Sequence, residues 1–262
     1  MFRELSLLLF LTCASACLAQ DPFEVQVYEY ELVPKGKWNL ETHINYIGKG
    51  TKKPEGTASP SNNQLHTTFE LTRGINDWFE MAGYLVLARR AGINSGMEFA
   101  GWRLRPRWAI PEAWHWPVGL SFSAEVAFPR KQYEEARSTL ELRPIIEKKL
   151  GRVLLDFNPV VGKAIAGPGS GAGWDFEPGA RIGYTVNPKL DLSLEYYGSL
   201  GPVGEFFPTH EQVHQFYPGF DWNIRENVVW NWGIGVGVTG SGNRLVYKTR
   251  IVYMFGKGKS NP

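Results

Sequence analysis

Apolar and polar residues alternate one by one over much of this chain, which is the side-chain period of a β-strand. The clearest case is the last, Arg244 to Phe255, where Leu, Tyr, Thr, Ile and Phe share one face and Arg244, Lys248 and Arg250 share the other. Clusters of Gly, Pro and Asn, which favour turns, separate the segments. The pattern predicts strands at 38–46, 65–71, 78–89, 102–108, 118–128, 138–150, 153–166, 174–186, 190–200, 211–222, 228–239 and 244–255.

The connections between these segments alternate between long and short. Polar or glycine-rich stretches such as 48–63 and 129–137 take turns with tight links such as 73–77 and 148–152. Long loops on one side and short turns on the other are typical of outer-membrane barrels. We therefore predict an all-β chain that folds as a single antiparallel transmembrane β-barrel of about 12 strands, with both ends on the short-turn, periplasmic side.

A soluble β-sandwich or a lipocalin-like barrel is the alternative, because such folds also alternate but bury the apolar face. The polar face here carries repeated Gly, Ser and Thr with single charges, and the apolar face ends in Trp or Tyr on many strands. The chain has 10 Trp, 11 Tyr and 15 Phe. Aromatic residues at strand ends are typical of the girdle of a membrane barrel, so the composition favours the membrane alternative.

The first residues predict an export signal. Arg3 precedes an apolar core from Leu5 to Leu11, and Cys17-Leu18-Ala19 places small residues before a cleavage site. We expect residues 1–19 to be a signal peptide, 20–35 an N-terminal periplasmic segment, 36–255 the barrel and 256–262 a C-terminal tail. A lipoprotein signal ending at Cys17 is the alternative. Both cysteines, Cys13 and Cys17, lie in this leader, so disulfides are not expected to support the mature chain.

One motif has the form of a zinc-protease signature. His210-Glu211-Gln212-Val213-His214 reads H-E-x-x-H. On a helix the two histidines would lie about 6 Å apart and could share a metal, whereas on a strand they would lie about 13 Å apart. Pro208 and Pro218 bracket the segment and leave little room for a helix. We therefore interpret it as a loop-to-strand junction with two histidines at the barrel rim.

Other catalytic patterns are absent from the sequence. No His precedes a Ser at the two-residue spacing of barrel phospholipases and deacylases, and the glycine-rich stretch 167–173 lacks the Lys of a phosphate loop. The formal net charge is +2, without a basic run that would favour nucleic acid. We predict a protein that is not an enzyme, needs no cofactor or metal, and binds no nucleic acid.

Charged residues on the polar face form the candidate site. Arg103, Arg105 and Arg107 are spaced about 7 Å apart along one predicted strand, with Glu80 and Glu125 on the flanking strands. Two hypotheses stay open: a track that attracts anionic solutes, or a lattice of cross-strand ion pairs that fills the barrel. The residues expected to line the lumen are Arg103, Arg105, Arg107, Glu80, Glu125, Glu41, Arg143, Arg181, Lys248 and Arg250.

Two segments carry family resemblances. The last strand, ending at Phe255, resembles the C-terminal strand by which bacterial outer-membrane barrels close and are recognised for assembly, although residues 256–262 follow it here. The entry Pro34-Lys35-Gly36-Lys37-Trp38-Asn39-Leu40-Glu41 resembles outer-membrane proteins grouped as "MetA-pathway of phenol degradation-like", which are transport or channel barrels.

These resemblances imply a porin-like barrel in the outer membrane of a Gram-negative-type cell. Its partners would be membrane lipid and lipopolysaccharide, the outer-membrane assembly machinery, and a small-molecule solute. We expect a passive channel or transporter with a narrow, charged lumen. The alternative is a closed structural or adhesive barrel, whose long loop 48–63 would meet a partner.

Overall fold

The computed structural model describes residues 21–92 and 96–257, so the expected signal peptide and most of the tail lie outside the described residues. Extended segments dominate, and a 3-10 helix forms at Glu112–Trp114. The strands are β1 Trp38–Lys49, β2 Leu65–Asn76, β3 Phe79–Arg89, β4 Glu98–Ala109, β5 Gly119–Pro129, β6 Ser138–Leu150, β7 Val153–Asn158, β8 Val161–Ala166, β9 Asp175–Phe176, β10 Gly179–Asn187, β11 Leu190–Ser199, β12 Gly201–Pro202, β13 Val213–Arg225, β14 Val228–Gly237 and β15 Leu245–Phe255.

These segments build a closed antiparallel barrel of 12 strands, because three barrel strands are each interrupted once. Pro159 lies between β7 and β8, and Pro178 lies between β9 and β10. Proline has no N–H to donate to a ladder, which explains both breaks. Leu200 separates β11 from β12, and β12 begins at Gly201, which has a φ of 94°. The predicted fold class is confirmed.

The barrel closes through its first and last strands. β15 pairs antiparallel with β1, with Trp38 opposite Phe255 and Tyr46 opposite Tyr247. β1 also pairs with β2 on its other side. The C-terminal strand therefore closes the barrel, as its resemblance implies, and leaves no exposed strand edge at this point.

Burial along the strands is inverted relative to a soluble protein. On β1 the polar side chains Glu41 and His43 are 8% and 1% exposed, whereas Ile44 is 36% exposed. The same inversion holds on β3, where Glu80 is 1% exposed and Leu85 is 46% exposed. The apolar face therefore points outward, as a lipid-facing surface requires, and the alternative of a soluble barrel with an apolar interior is wrong.

Among the described residues, no helix is long and apolar enough to cross a membrane.

The segment before β1 lies inside the barrel. Residues 20–35 are expected from the sequence to be periplasmic, but the described part contacts inward-facing side chains of several strands. Phe23, Val25, Val27, Tyr28 and Val33 are all buried. We call residues 21–33 the luminal segment. Its position could not be read from its own sequence, because its partners lie far away in the chain.

Candidate functional site

The arginine ladder on β4 points into the lumen and is paired with carboxylates. Arg103 lies 3.0 Å from Glu125, measured from Nη1 to Oε1. Arg105 contacts Glu80 at 3.3 Å and also pairs with Glu70. Nε of Arg107 lies 2.9 Å from Oε1 of Glu80. The ion pairs expected with Glu80 and Glu125 are present, and they hold these three cations against the wall.

The opposite wall carries a second group of pairs. Nη2 of Arg181 lies 2.8 Å from Oδ2 of Asp221. Nζ of Lys248 lies 2.5 Å from Oε2 of Glu195, and both side chains are 4% exposed. Arg250 pairs with Glu41 at 2.9 Å. Because buried charges are costly unless paired, these contacts account for the mixture of signs on the inward faces.

Arg143 on β6 completes the candidate lumen residues. Its Nε donates to Oε1 of Glu141 at 2.8 Å, and its Nη1 donates to the backbone oxygen of Gln26 at 3.3 Å. Every one of the ten inward charges named from the sequence therefore has a charged partner in the barrel wall. What the sequence did not show is that several of them also hold the luminal segment.

Among the residues that the structure describes, the luminal segment has no strand partner, and its backbone groups bond to wall side chains. The amide of Tyr28 donates to Oδ1 of Asn158 at 2.8 Å, and the Asn158 amide returns a bond to the Tyr28 carbonyl at 3.1 Å. The amide of Val33 donates to Glu80 at 2.6 Å, and that of Tyr30 donates to Glu147 at 2.9 Å. Buried backbone groups need such partners, and here charged and amide side chains supply them.

Wall cations bind carbonyl oxygens of the same segment. Nη1 of Arg107 donates to the Glu29 carbonyl at 3.1 Å, and Nζ of Lys248 donates to the Val25 carbonyl at 3.3 Å. Arg181 adds an ion pair of 2.8 Å with the Glu29 carboxylate. The charged lumen is thus a binding site for an extended stretch of this chain's own backbone.

Tyr28 contacts side chains from several strands of the wall. The guanidinium carbons of Arg143, Arg105 and Arg107 lie 4.4, 4.8 and 5.6 Å from its ring centroid. Its hydroxyl lies 3.0 Å from that of Tyr84. Cations at such distances from an aromatic ring are attracted to its face. Tyr28 therefore ties the segment to β3, β4 and β6 together.

Apolar residues seat the segment at two further points. Phe23 stacks on the His66 ring, with centroids 4.3 Å apart. Val25 and Val27 pack with Tyr197 and Tyr217 in a buried cluster. Between the segment and the wall remains a cavity of about 160 Å³, lined among others by Glu70, Arg105 and Arg250. Charged and polar side chains make up much of its lining, which suits ordered water molecules.

The H-E-x-x-H motif lies at the rim of the barrel, as the sequence predicts. His210 and Glu211 are in a turn, and β13 begins at Val213. Nδ1 of His214 lies 2.8 Å from the Tyr196 hydroxyl, and its Nε2 lies 3.0 Å from Oε1 of Gln212. Without a helix at this place, the two histidines lack the arrangement of a zinc protease.

Sequence reasoning did not identify several partners of the charged lumen residues. Glu70, Tyr84 and Glu195 lie on inward faces, and strand alternation places them there, but it does not choose them as partners. Tyr28 could not be found by alternation at all. A hint is present in the loose alternation from Phe23 onwards, which marks an extended segment ahead of the first strand.

No family model matches this chain, and no curated protein matches it. Solved structures do. A KdgM porin in complex with disordered oligogalacturonate aligns with a TM-score of 0.50 and 7% identity, over 84% of this chain and 99% of that chain. A chain from a study of the in-meso crystallization of membrane proteins aligns with a TM-score of 0.50 and 11% identity, over 85% of each.

This chain has the fold of an outer-membrane β-barrel. The likeness at such low identity shows the fold alone, and it agrees with the outward apolar face described above. The outer membrane is accordingly its location, as predicted. The narrower resemblance to the MetA-pathway-like group stays a prediction.

Proposed function

We propose that this protein is a passive outer-membrane channel for small solutes, in which solute passes when the luminal segment leaves the lumen. The observation that supports this proposal is the way in which the luminal segment is held in the lumen. Its contacts are side-chain hydrogen bonds, ion pairs and apolar packing, and no strand pairing among the described residues includes it. It can therefore leave without breaking a backbone ladder of the barrel.

Charge favours an anionic solute. The luminal segment contributes Asp21, Glu24, Glu29 and Glu31 and no basic residue. When it leaves, Arg103 loses Asp21 and Arg181 loses Glu29, so the lumen becomes more positive. Exposed guanidinium groups attract carboxylates and phosphates. The KdgM porin was solved with oligogalacturonate; for this chain we propose only the class of small anions.

Barrel size is compatible with this proposal. Eight-stranded barrels are filled by side chains, and barrels of 16 strands hold a wide channel. Twelve strands lie between these limits, so a lumen vacated by the segment would be narrow and lined by the ladder. Lipid would contact the outward apolar face, while contacts with lipopolysaccharide and the assembly machinery remain expectations from the fold.

The decisive experiment compares the mature chain with a variant lacking residues 21–33, both refolded into planar bilayers. We expect the intact chain to be mostly silent and the shortened chain to conduct steadily with a preference for anions. Heat-modifiable migration in detergent gels checks that both are folded. A shortened barrel that is folded and silent would overturn the proposal.

A cross-link provides a second test that keeps the full chain. A Cβ built on Gly179 would lie 3.5 Å from Cγ2 of Val27, so the double variant Val27→Cys/Gly179→Cys suits a disulfide. Openings should vanish in the oxidised form and return on reduction. The single variant Val27→Cys is the matched control and should not respond to reductant. Equal conductance in both redox states would remove the segment from the pathway.

The closed structural barrel is the second candidate, and the filled lumen favours it. It predicts silence in the shortened chain and in the reduced cross-link variant alike. A membrane hydrolase has no supporting contact among the described residues, and the absence of enzyme activity stays a prediction.

A further inference from the structure

Three side chains of types that can bind metal ions come together in the lumen from different parts of the chain. His43 lies on β1, Glu70 lies on β2, and Glu24 belongs to the luminal segment. All three residues are at most 3% exposed. One ligand atom from each lies within 4.8 Å of the other two. The cluster therefore joins the luminal segment to the barrel wall.

Two polar atoms in the cluster lack a hydrogen-bond partner among the described residues. They are Nε2 of His43 and Oε2 of Glu70. These atoms lie 3.8 Å apart, and Nε2 lies 3.6 Å from Oε2 of Glu41. Both distances are too long for a hydrogen bond. Buried polar atoms are normally satisfied, so two of them facing each other point to a bound species between them.

The neighbours of the cluster orient its carboxylates. Oε1 of Glu70 accepts a bond from Thr72 at 2.7 Å and one from Arg105, which leaves Oε2 turned towards His43. The Tyr28 hydroxyl donates to Oε1 of Glu24. Such outer contacts fix ligands in metal sites. Arg105 pairs with Glu80 as well as with Glu70. Its single positive charge is therefore shared and does not by itself neutralise both carboxylates.

We propose that His43, Glu70 and Glu24 bind a divalent transition-metal ion of the zinc type and that this ion fastens the luminal segment to the wall. Imidazole nitrogen with carboxylate oxygen suits zinc and its neighbours, whereas calcium and magnesium take oxygen ligands. Ligands about 2.0–2.2 Å from a tetrahedral zinc lie roughly 3.3–3.5 Å apart. The gap between His43 and Glu70 needs to close by only a few tenths of an ångström.

Metal binding would make departure of the segment depend on metal. This consequence rests on the proposed function, whereas the site itself does not. The binding test is therefore separate from conductance. If the ion binds but does not change conductance, the metal site is supported and its role in gating is overturned.

Calorimetric titration of the refolded full-length barrel with Zn²⁺ tests the site, with Co²⁺ absorption as a second readout. The background variant is His210→Ala/His214→Ala, which removes rim histidines that could bind metal on their own. We expect one ion per chain, with affinity weakened at least 10-fold by His43→Ala and by Glu24→Gln. His66→Ala, a buried histidine next to Phe23 but outside the cluster, is the matched control and should keep the affinity.

Attachment of the luminal segment to the wall is measured by its rate of cleavage with a Glu-specific serine protease. Zn²⁺ should slow cleavage after Glu29 or Glu31 in the background variant and not in Glu70→Gln. Absence of stoichiometric binding would overturn the proposal, and so would binding that survives His43→Ala and Glu24→Gln in a folded barrel. Binding with no change in cleavage would overturn the fastening role.

Discussion

Two consecutive stretches of this chain, the luminal segment and strand β1, are both extended and both touch the inside of the barrel, yet they are held in different ways. β1 pairs along its length with β2 and β15 through backbone ladders. The luminal segment bonds instead to side chains such as Asn158, Glu80 and Lys248. The backbone ladders form the wall of the barrel, whereas side-chain contacts can be replaced by contacts with water.

The ladders therefore determine the fold of the barrel, whereas the side-chain contacts determine whether the luminal segment fills the lumen. In lipid, every backbone group of a spanning strand must be satisfied within the protein, so β1 cannot leave its neighbours. The luminal segment lies in a polar interior, where water can take over each lost contact. A segment held by side-chain contacts inside a wall held by backbone ladders is the arrangement that the proposed gate requires. The following changes test the contrast in order of expected effect.

The largest effect is expected from proline at Thr42. This residue pairs with Phe69 on one side and Ile251 on the other. Thr42→Pro removes a ladder donor in the strand that closes the barrel, so we expect loss of the heat-modifiable folded band in detergent gels. Val27→Pro in the luminal segment is the matched control and should leave that band intact. Equal loss of folding in both variants would contradict the contrast.

A smaller effect is expected from the buried ion pairs. Arg105 contacts Glu70 and Glu80, and all three side chains are at most 3% exposed. Arg105→Ala leaves the buried Glu70 carboxylate without its arginine and leaves Glu80 with Arg107 alone, which should lower the free energy of unfolding by about 3–5 kcal/mol. Urea unfolding of the refolded barrel, followed by tryptophan fluorescence, measures the change.

The control for this variant is a pair near the loops. Arg90 lies 3.1 Å from Glu98, and these side chains are 21% and 25% exposed. Arg90→Ala should cost at most about 1 kcal/mol, because water replaces much of the interaction. Similar losses in the two variants would show that the lumen is well hydrated and that its pairs are not buried in effect.

The sequence predicted the wall well because strand alternation is local. The ends of β15 and its pairing with Trp38 to Tyr46 follow from a period of two and a chain that must close. The pairs of Arg103 with Glu125 and of Arg107 with Glu80 join neighbouring strands, so they could also be expected. The interruption at Pro159 was missed, since alternation continues across it.

Contacts across the lumen were beyond sequence reasoning. Alternation places Lys248 on the same face as Glu41 of the adjacent strand, but Lys248 pairs with Glu195 on β11, three strands away on the other side. Tyr28 meets arginines from β4 and β6, more than 70 residues later in the chain. Such partners depend on barrel curvature and on which extended segment enters the interior, and neither is encoded in a local pattern.

The smallest effect is expected at Asn158, which sharpens the contrast at a single residue. Its side chain bonds both the amide and the carbonyl of Tyr28, as a neighbouring strand would. Asn158→Ala removes both bonds and should weaken seating of the luminal segment by about 1–3 kcal/mol. Cleavage of the segment by a Glu-specific protease should rise accordingly, while the urea midpoint of the barrel stays nearly unchanged. Asn223→Ala, near the end of β13 where the side-chain amide donates to the Pro188 carbonyl, is the control and should change neither. A drop in the urea midpoint without faster cleavage would mean that Asn158 supports the interrupted strand rather than the segment.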